Sequence, residues 1–331
     1  MKNRTLPSWI AGGAVLLLVV ATATAAENPN TIAEKAYELR LAGQVEEAVQ
    51  LLEGGLSEQP QAAVLHYEMA RTKFYLFDFP SMQREAEAAA LDEPENPKYH
   101  YFAAMASCYS LIDAAHHQDE GRMKTFSRQA IDELKAALAS DPDYHQARFM
   151  LVQLSVEMAG DEGVEVEDTE PHVLLLEEKD PVLGAKARCC LVDEKEKKKI
   201  WDKILTDYPE DPRALFEAAG GLIEVGDLER ASEYLEKAIQ KNKENCYGLL
   251  QLGMAYVMQE DWDRAMGLTQ RYLLLEPPVA LKAFAMDRMG RIHSRMGDEA
   301  KSRELIQNAR ELDPHVWQTF MPPPQEIFVS P

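Results

Sequence analysis

One spacing, recurring along the chain, constrains the fold more than anything else in it. In "VGDLERASEYLEKAI", Val225 to Ile239, Gly226 is followed by Ala231 and then Ala238, with Leu235 between the two alanines. Residues seven apart share a helical face. Two small side chains there let a second helix approach closely, and the leucine fills the space between them. Upstream, Pro212 opens a stretch with Leu215, Ala218, Ala219 and Leu222 at helical spacing. A shift of 34 residues forward finds Leu249, Leu252, Gly253, Tyr256, Ala265 and Pro277, and a shift back finds Ala185, Trp201, Ile204, Leu205 and Pro209. Earlier units show Ala36, Leu39, Gly43, Ala48, Leu52, Leu56 and Pro60, then Ala70, Ala86, Ala89 and Pro94. The last shows Gly290, Gly297, Ala309 and Pro314. Eight units begin near residues 29, 63, 97, 145, 178, 212, 246 and 283. Each reads as a helix–turn–helix closed by a proline, which stops the second helix. A hairpin of this size cannot bury its own apolar face, so stacking on its neighbours is obligatory. Two units depart from the pattern: the third carries an insert near 112–124, and the fourth, near 145–177, is degenerate around "AGDEGVEVEDTEPH".

The period, the hairpin content and the small/large alternation resemble the tetratricopeptide repeat. That resemblance covers residues 27–314 and implies an all-α fold, a right-handed superhelical solenoid of about eight helical hairpins. The extended third unit, "EKDPVLGAKA" with Asp180, Pro181 and Gly184, and the "RYLLLEPP" and "RMGDEAKSRELI" segments look like a group of exported bacterial tetratricopeptide proteins. Most of that group has no assigned activity. A Pro-x-x-x-Gly-Gly turn of the group is matched here only by Gly160 and Gly163. A related set, the tetratricopeptide components of TRAP-type solute transporters, supplies an alternative role as a transport accessory. The carboxylate clamp of chaperone-binding tetratricopeptide domains is missing, because Ala33 and Tyr37 stand at the places of its Lys and Asn.

In such an array the first helix of each unit lines the concave face, where extended peptides bind. Positions 2, 5, 9, 12 and 13 of units two and three place Tyr67, Arg71, Phe74, Tyr75, Lys98, Tyr101, Met105 and Tyr109 on that face, together with Val64 and Cys108. Aromatic anchors beside cations suit a binding hot spot. The competing expectation is that these rings pack against the insert, folded back over the groove.

The formal charge of −21 argues against a nucleic-acid partner, which needs a basic footprint, and against an electrostatic grip on anionic lipid. Residues 1–26 read as an export signal: Lys2 and Arg4, an apolar run from Trp9 to Val20, and small residues in "ATATAA". The expected location is periplasmic or secreted, with no stable membrane insertion after cleavage. The alternative is an N-terminal anchor in the inner membrane, since Trp9 to Ala26 approaches the length of a span. Of the four cysteines, Cys108, Cys189, Cys190 and Cys246, the adjacent pair is too close for an unstrained disulfide, and small buried residues on helices are expected. "HHQDEG", with His116 and His117, reads as a solvated loop, since neighbouring helical side chains diverge by about 100°. Trp201 and Trp262 lie within the periodicity of second helices and read as core or as the seam between the two helices of a hairpin. The tail 315–331 breaks the repeat: Trp317 and Phe320 either cap the last unit or, with Pro322 to Pro324, form a recognition segment. No GxSxG elbow, HExxH helix, phosphate loop or dinucleotide fingerprint is present, so neither an enzyme nor a cofactor or metal is expected. The expected partner is a protein or an extended peptide.

Overall fold

The computed structural model describes residues 27–159, 168–242 and 246–315. The export-signal residues 1–26, Gly160, Gly163, Trp317, Phe320 and Pro322 to Pro324 lie outside the described residues. Among the described residues, regular structure consists of sixteen α-helices and no strand. The first three hairpins are α1 (Pro29–Leu41) with α2 (Val45–Glu58), α3 (Ala63–Tyr75) with α4 (Phe79–Asp92), and α5 (Pro97–His116) with α6 (Glu120–Ser140). Next come α7 (His145–Glu157) with α8 (Thr169–Lys179), and α9 (Pro181–Cys189) with α10 (Glu194–Asp207). The last three are α11 (Pro212–Glu224) with α12 (Leu228–Lys241), α13 (Tyr247–Met258) with α14 (Trp262–Leu273), and α15 (Val279–Arg295) with α16 (Glu299–Leu312). The fold is an all-α solenoid of helical hairpins.

The turn inside the hairpin explains the "GDL" of the repeat. Gly43, Gly226 and Gly297 adopt left-handed φ values of 79°, 75° and 86°, the conformation glycine enters most easily. Phe77, Gln118 and Glu260 take the same conformation at the equivalent places, with φ of 58°, 55° and 59°. In all six turns the following amide reaches back five residues, as in Asp227 N–H to Leu222 O at 2.9 Å and Asp261 N–H to Tyr256 O at 3.0 Å. That residue is aspartate in five of the six, and Asp78, Asp119, Asp261 and Asp298 each accept a backbone N–H of the second helix. One dipeptide thus ends the first helix and starts the second.

The "DPVLG" element has an equally local cause. Asp180 ends α8 and caps α9, its carboxylate accepting from Leu183 N–H at 3.1 Å. Pro181 fills the first helical position, where no N–H is needed. Gly184 sits where the α8 backbone crosses, so a methyl group there would strike the backbone of Leu176 and Glu177. Two helices therefore cross with one residue between them, and the fifth hairpin starts at Pro181 rather than near 178.

The insert forms no separate loop over the groove. It lengthens both helices of the third hairpin, to 20 residues in α5 and 21 in α6, against 13 and 14 in α3 and α4. Gln118 and Asp119 keep the standard turn at its tip, with His117 exposed and its Nδ1 beside Asp113 O at 2.8 Å.

Four pairs of successive first helices pack on one another, α1 on α3, α7 on α9, α9 on α11 and α11 on α13, whereas no two successive second helices pack as closely. The array therefore bends toward the first-helix side until its last hairpin meets its first. Ala280 of α15 is buried in the same apolar cluster as Val45, Ala63 and Ala70. A methyl group on Gly43 would sit 3.1 Å from Leu312 O and 3.4 Å from Val279 Cγ1. The Tyr75 hydroxyl donates to Asp313 Oδ2, and His315 Nε2 lies 2.9 Å from Glu46 Oε1. Burial pushes the Asp313 carboxyl above the usual carboxylate range.

Trp201 is core, as expected, at 2 % exposure, and its indole occupies the place a side chain on Gly221 would need. Gly220, one residue earlier, has open space before it. Gly221→Ala should therefore cost about 1–3 kcal/mol through overpacking. Gly220→Ala should leave stability unchanged or raise it by up to about 1 kcal/mol through helix propensity. Urea unfolding followed by circular dichroism separates the two.

Candidate functional site

The eight residues expected on the concave face lie on α3 and α5, but they do not form one open surface. Tyr67, Arg71, Phe74, Tyr75 and Met105 are buried, and Lys98, Tyr101 and Tyr109 are half-buried. The reason is lateral contact between hairpins. The Tyr67 ring packs 5.2 Å from Tyr99 and 5.0 Å from Phe102, and Phe74 packs 4.4 Å from Tyr109. Tyr109 in turn stacks on Phe79 at 6.1 Å. Tyr101 meets Tyr144 edge-on at 5.4 Å. Tyr75 belongs to the contact that closes the array on itself.

Beneath this aromatic layer lies an ionic cluster. Arg40 of α1 and Glu68 and Arg71 of α3 all have fully buried side chains. Glu68 accepts from Arg40 Nη2 at 2.5 Å and from Arg71 Nη1 at 2.8 Å. Both guanidinium groups lie over the Tyr37 ring at 5.5 Å, and the Lys98 ammonium lies 4.6 Å from the Tyr67 centroid. Burial lowers the Arg40 pKa despite the bond to Glu68, and burial with Arg71 nearby lowers that of Lys98. Removing one member of such a cluster strands a buried charge, so its position is held rigidly.

The inner face continues past the third hairpin in another chemistry. Phe149 of α7, Lys186 of α9, Phe216 of α11, and Met254 and Val257 of α13 occupy the equivalent first-helix positions and are half-buried. Lys186 sits 5.1 Å from the Phe149 centroid and pairs with Glu217 at 2.9 Å. On the outer side, Glu229, Ser232, Tyr256, Arg264, Gly267, Leu268 and Arg271 line a shallow groove of about 430 Å³ between α12 and α14. The Arg264 guanidinium there lies 5.3 Å from the Tyr256 centroid.

All four thiols are free. Burial pushes Cys108 and Cys189 up to about 12 and raises Cys190, so none of these three is a ready nucleophile. No group of three His, Cys, Asp or Glu converges for a metal among the described residues. No described helix is long and apolar enough to cross a membrane.

A recurring polar staple had a sequence signal that the small/large pattern obscured. His66 and His100, 34 apart, follow Pro60 and Pro94, also 34 apart. His66 places Nδ1 2.7 Å from Glu85 and Nε2 3.0 Å from Pro60 O; His100 places the same nitrogens 2.6 Å from Glu133 and 2.9 Å from Pro94 O. In the fourth hairpin Arg148 takes the position, donating to Pro142 O at 2.6 Å, with Nη1 2.9 Å from His172 Nδ1. Each staple ties the incoming link to both helices of its hairpin.

The tetratricopeptide repeat family model matches residues 247–277, which contain α13 and α14. The chain carries a tetratricopeptide repeat there, and its other hairpins repeat that architecture. No curated protein matches the chain. Among solved structures, it is similar to TTC0263, a thermophilic tetratricopeptide protein of Thermus thermophilus. Identity is 16 %, coverage is 70 % of this chain and 100 % of that one, and the TM-score is 0.44. A tetratricopeptide repeat protein from Parabacteroides merdae is similar at 12 % identity over 87 % of this chain and 98 % of its own, TM-score 0.40. The human IFIT1 dimer with m7Gppp-AAAA is similar at 14 % identity over 86 % of this chain and 55 % of its own, TM-score 0.43.

Both nitrogens of His66 face acceptors, so only the imidazolium satisfies both. The bond to Glu85 is the main cause of its raised pKa. Burial alone would push Glu85 up, but the bonds from His66 and Arg84 bring it below the usual range. The histidine's contribution is therefore complete below its unfolded pKa of about 6.5 and is lost as pH rises through the higher folded value. The carboxylate's contribution is present above its unfolded pKa and is lost as pH falls through the lower folded value. His66→Ala should cost about 1–3 kcal/mol near pH 6. It should also flatten the decline in stability from pH 6.5 to 8, as read from urea midpoints across that range.

Proposed function

We propose that this chain is an exported scaffold that binds a protein or an extended peptide along the inner face of its hairpin array. The observation that carries the reading is that face itself. The first helices pack side by side, and their side chains form a strip that runs from aromatic and cationic to apolar. Lys98, Tyr101 and Tyr109 are the accessible contacts on its first half, and Tyr67, Arg71, Phe74, Tyr75 and Met105 hold them from behind. Phe149, Phe216 and Met254 continue the strip with half-buried apolar surface. Tyrosine and arginine give contact area with little loss of side-chain freedom, and methionine adapts to irregular shapes. An extended segment lying across successive first helices meets one anchor per hairpin. Its affinity comes from several weak contacts and not from a single pocket. Placement outside the cytoplasm rests on residues 1–26, whose basic start, apolar run and small residues suit an export signal.

The double variant Lys98→Ala/Tyr101→Ala should keep the helical circular dichroism of the parent. It should lower capture of its partner from envelope extract, measured by quantitative mass spectrometry, by about tenfold, the loss of about 1.4 kcal/mol of binding energy. Undiminished capture by this variant and by Phe216→Ala/Met254→Ala together would remove the inner face from consideration. For export, the mature protein isolated from envelope should begin after Ala25 or Ala26. An intact N-terminus in the cytoplasmic fraction would contradict that half of the reading.

A further inference from the structure

We propose that the chain's own segment 316–331 is a ligand of the inner face, lying across Tyr37, Lys98 and Tyr101 until a partner displaces it. This rests on the reading that the inner face binds extended segments. The first support is where the described chain ends. Asp313 is held by the Tyr75 hydroxyl and His315 by Glu46, so residue 316 starts at the junction of the first and last hairpins. Tyr75 is on α3, the helix that also carries Tyr67 and Arg71. The second support is length. Sixteen residues follow His315 in the sequence, a reach of about 50 Å when extended. Packed helices are about 8–10 Å apart, so that reach crosses several hairpins.

Chemical complementarity is the third support. Lys98 is a half-buried cation whose ammonium lies 4.6 Å from the Tyr67 centroid, beside the Tyr37 ring that the guanidinium groups of Arg40 and Arg71 overlie. The segment "VWQTFMPPPQEIFVSP" has no cation, one carboxylate at Glu326, and a run of three prolines flanked by Trp317, Phe320 and Phe328. Consecutive prolines favour an extended left-handed helix that docks on aromatic-lined grooves, and they lose little entropy on binding. A rival duty for the segment, capping the apolar end of the last hairpin, has another incumbent. α15 already packs against α1, and Ala280 is 2 % exposed within the first hairpins' cluster. A tether of this length makes the contact intramolecular, so even weak recognition fills the groove at millimolar effective concentration.

The test is made on the full chain with no partner present, so its outcome is separate from that of partner capture. With p-benzoylphenylalanine in place of Phe320, and separately in place of Phe328, illumination of dilute protein should give crosslinks within one copy to peptides of α1, α3 and α5. Lys98→Glu should lower the yield from the Phe328 position at least threefold, and hydrogen exchange of 316–331 should quicken while that of α11 to α14 stays the same. Crosslinks to the outer helices, crosslinks between copies, or a yield unaffected by Lys98→Glu would each overturn the proposal.

Discussion

Lateral burial between neighbouring hairpins is the interaction on which this molecule depends. No hairpin encloses a core, and each apolar face is covered by another hairpin. Small residues set how close the cover comes. Ala33, Ala36, Ala48, Ala70, Ala218, Ala219, Ala231, Ala238 and Ala265 are all at or near zero exposure, with leucines and Trp201 filling the spaces they leave. Apolar burial contributes about 25 cal/mol per Å². A missing methylene therefore acts on two units at once, and a terminal unit lacks half its support. The self-contact supplies the missing half, because the described first and last hairpins cover one another.

That closure has an electrostatic counterpart. The outer layer carries exposed ion pairs such as Arg230–Asp202 and Lys241–Glu210, which individually stabilise little. The inner layer of the first three hairpins buries the pairs of Glu68 with Arg40 and Arg71 and keeps Lys98 half-buried, in a chain whose formal charge is −21. The acidic balance overall repels bulk acidic macromolecules.

Much of this was legible in the sequence, because period, turn and cap are local facts. Gly226, Asp227 and Leu228 spell out the turn they form, and Asp180, Pro181 and Gly184 spell out a cap and a close crossing. The left-handed turns at Phe77, Gln118 and Glu260 were not legible, since no glycine marks them, although the next amide bonds back five residues as it does after the glycines. The meeting of Tyr75 with Asp313 was equally hidden. Curvature accumulates over seven small rotations, and no local pattern records the sum. The burial of Arg71 depends on a partner, Glu68, one helical turn away and on Arg40 from another hairpin, so position within the repeat alone suggested an exposed cation. The staples at His66 and His100 were visible in principle as a second periodicity at the same interval, of polar residues where attention falls on apolar ones.

The lengthened third hairpin shows which edits such an architecture tolerates. Each of its helices gains seven residues over its counterpart in the second hairpin. Seven residues are very nearly two helical turns, and they return a helix to within about 20° of its former orientation. The stem therefore meets its neighbours as an unextended hairpin would, while the tip moves roughly 10 Å outward at 1.5 Å per residue. An addition of three or four residues to either helix would instead rotate one wall against the other and break the register of every unit beyond it. Growth in heptads lets an appendage lengthen without being felt by the stack, and a cargo or reporter grafted at His117 and Gln118 in such steps would leave the remaining hairpins undisturbed.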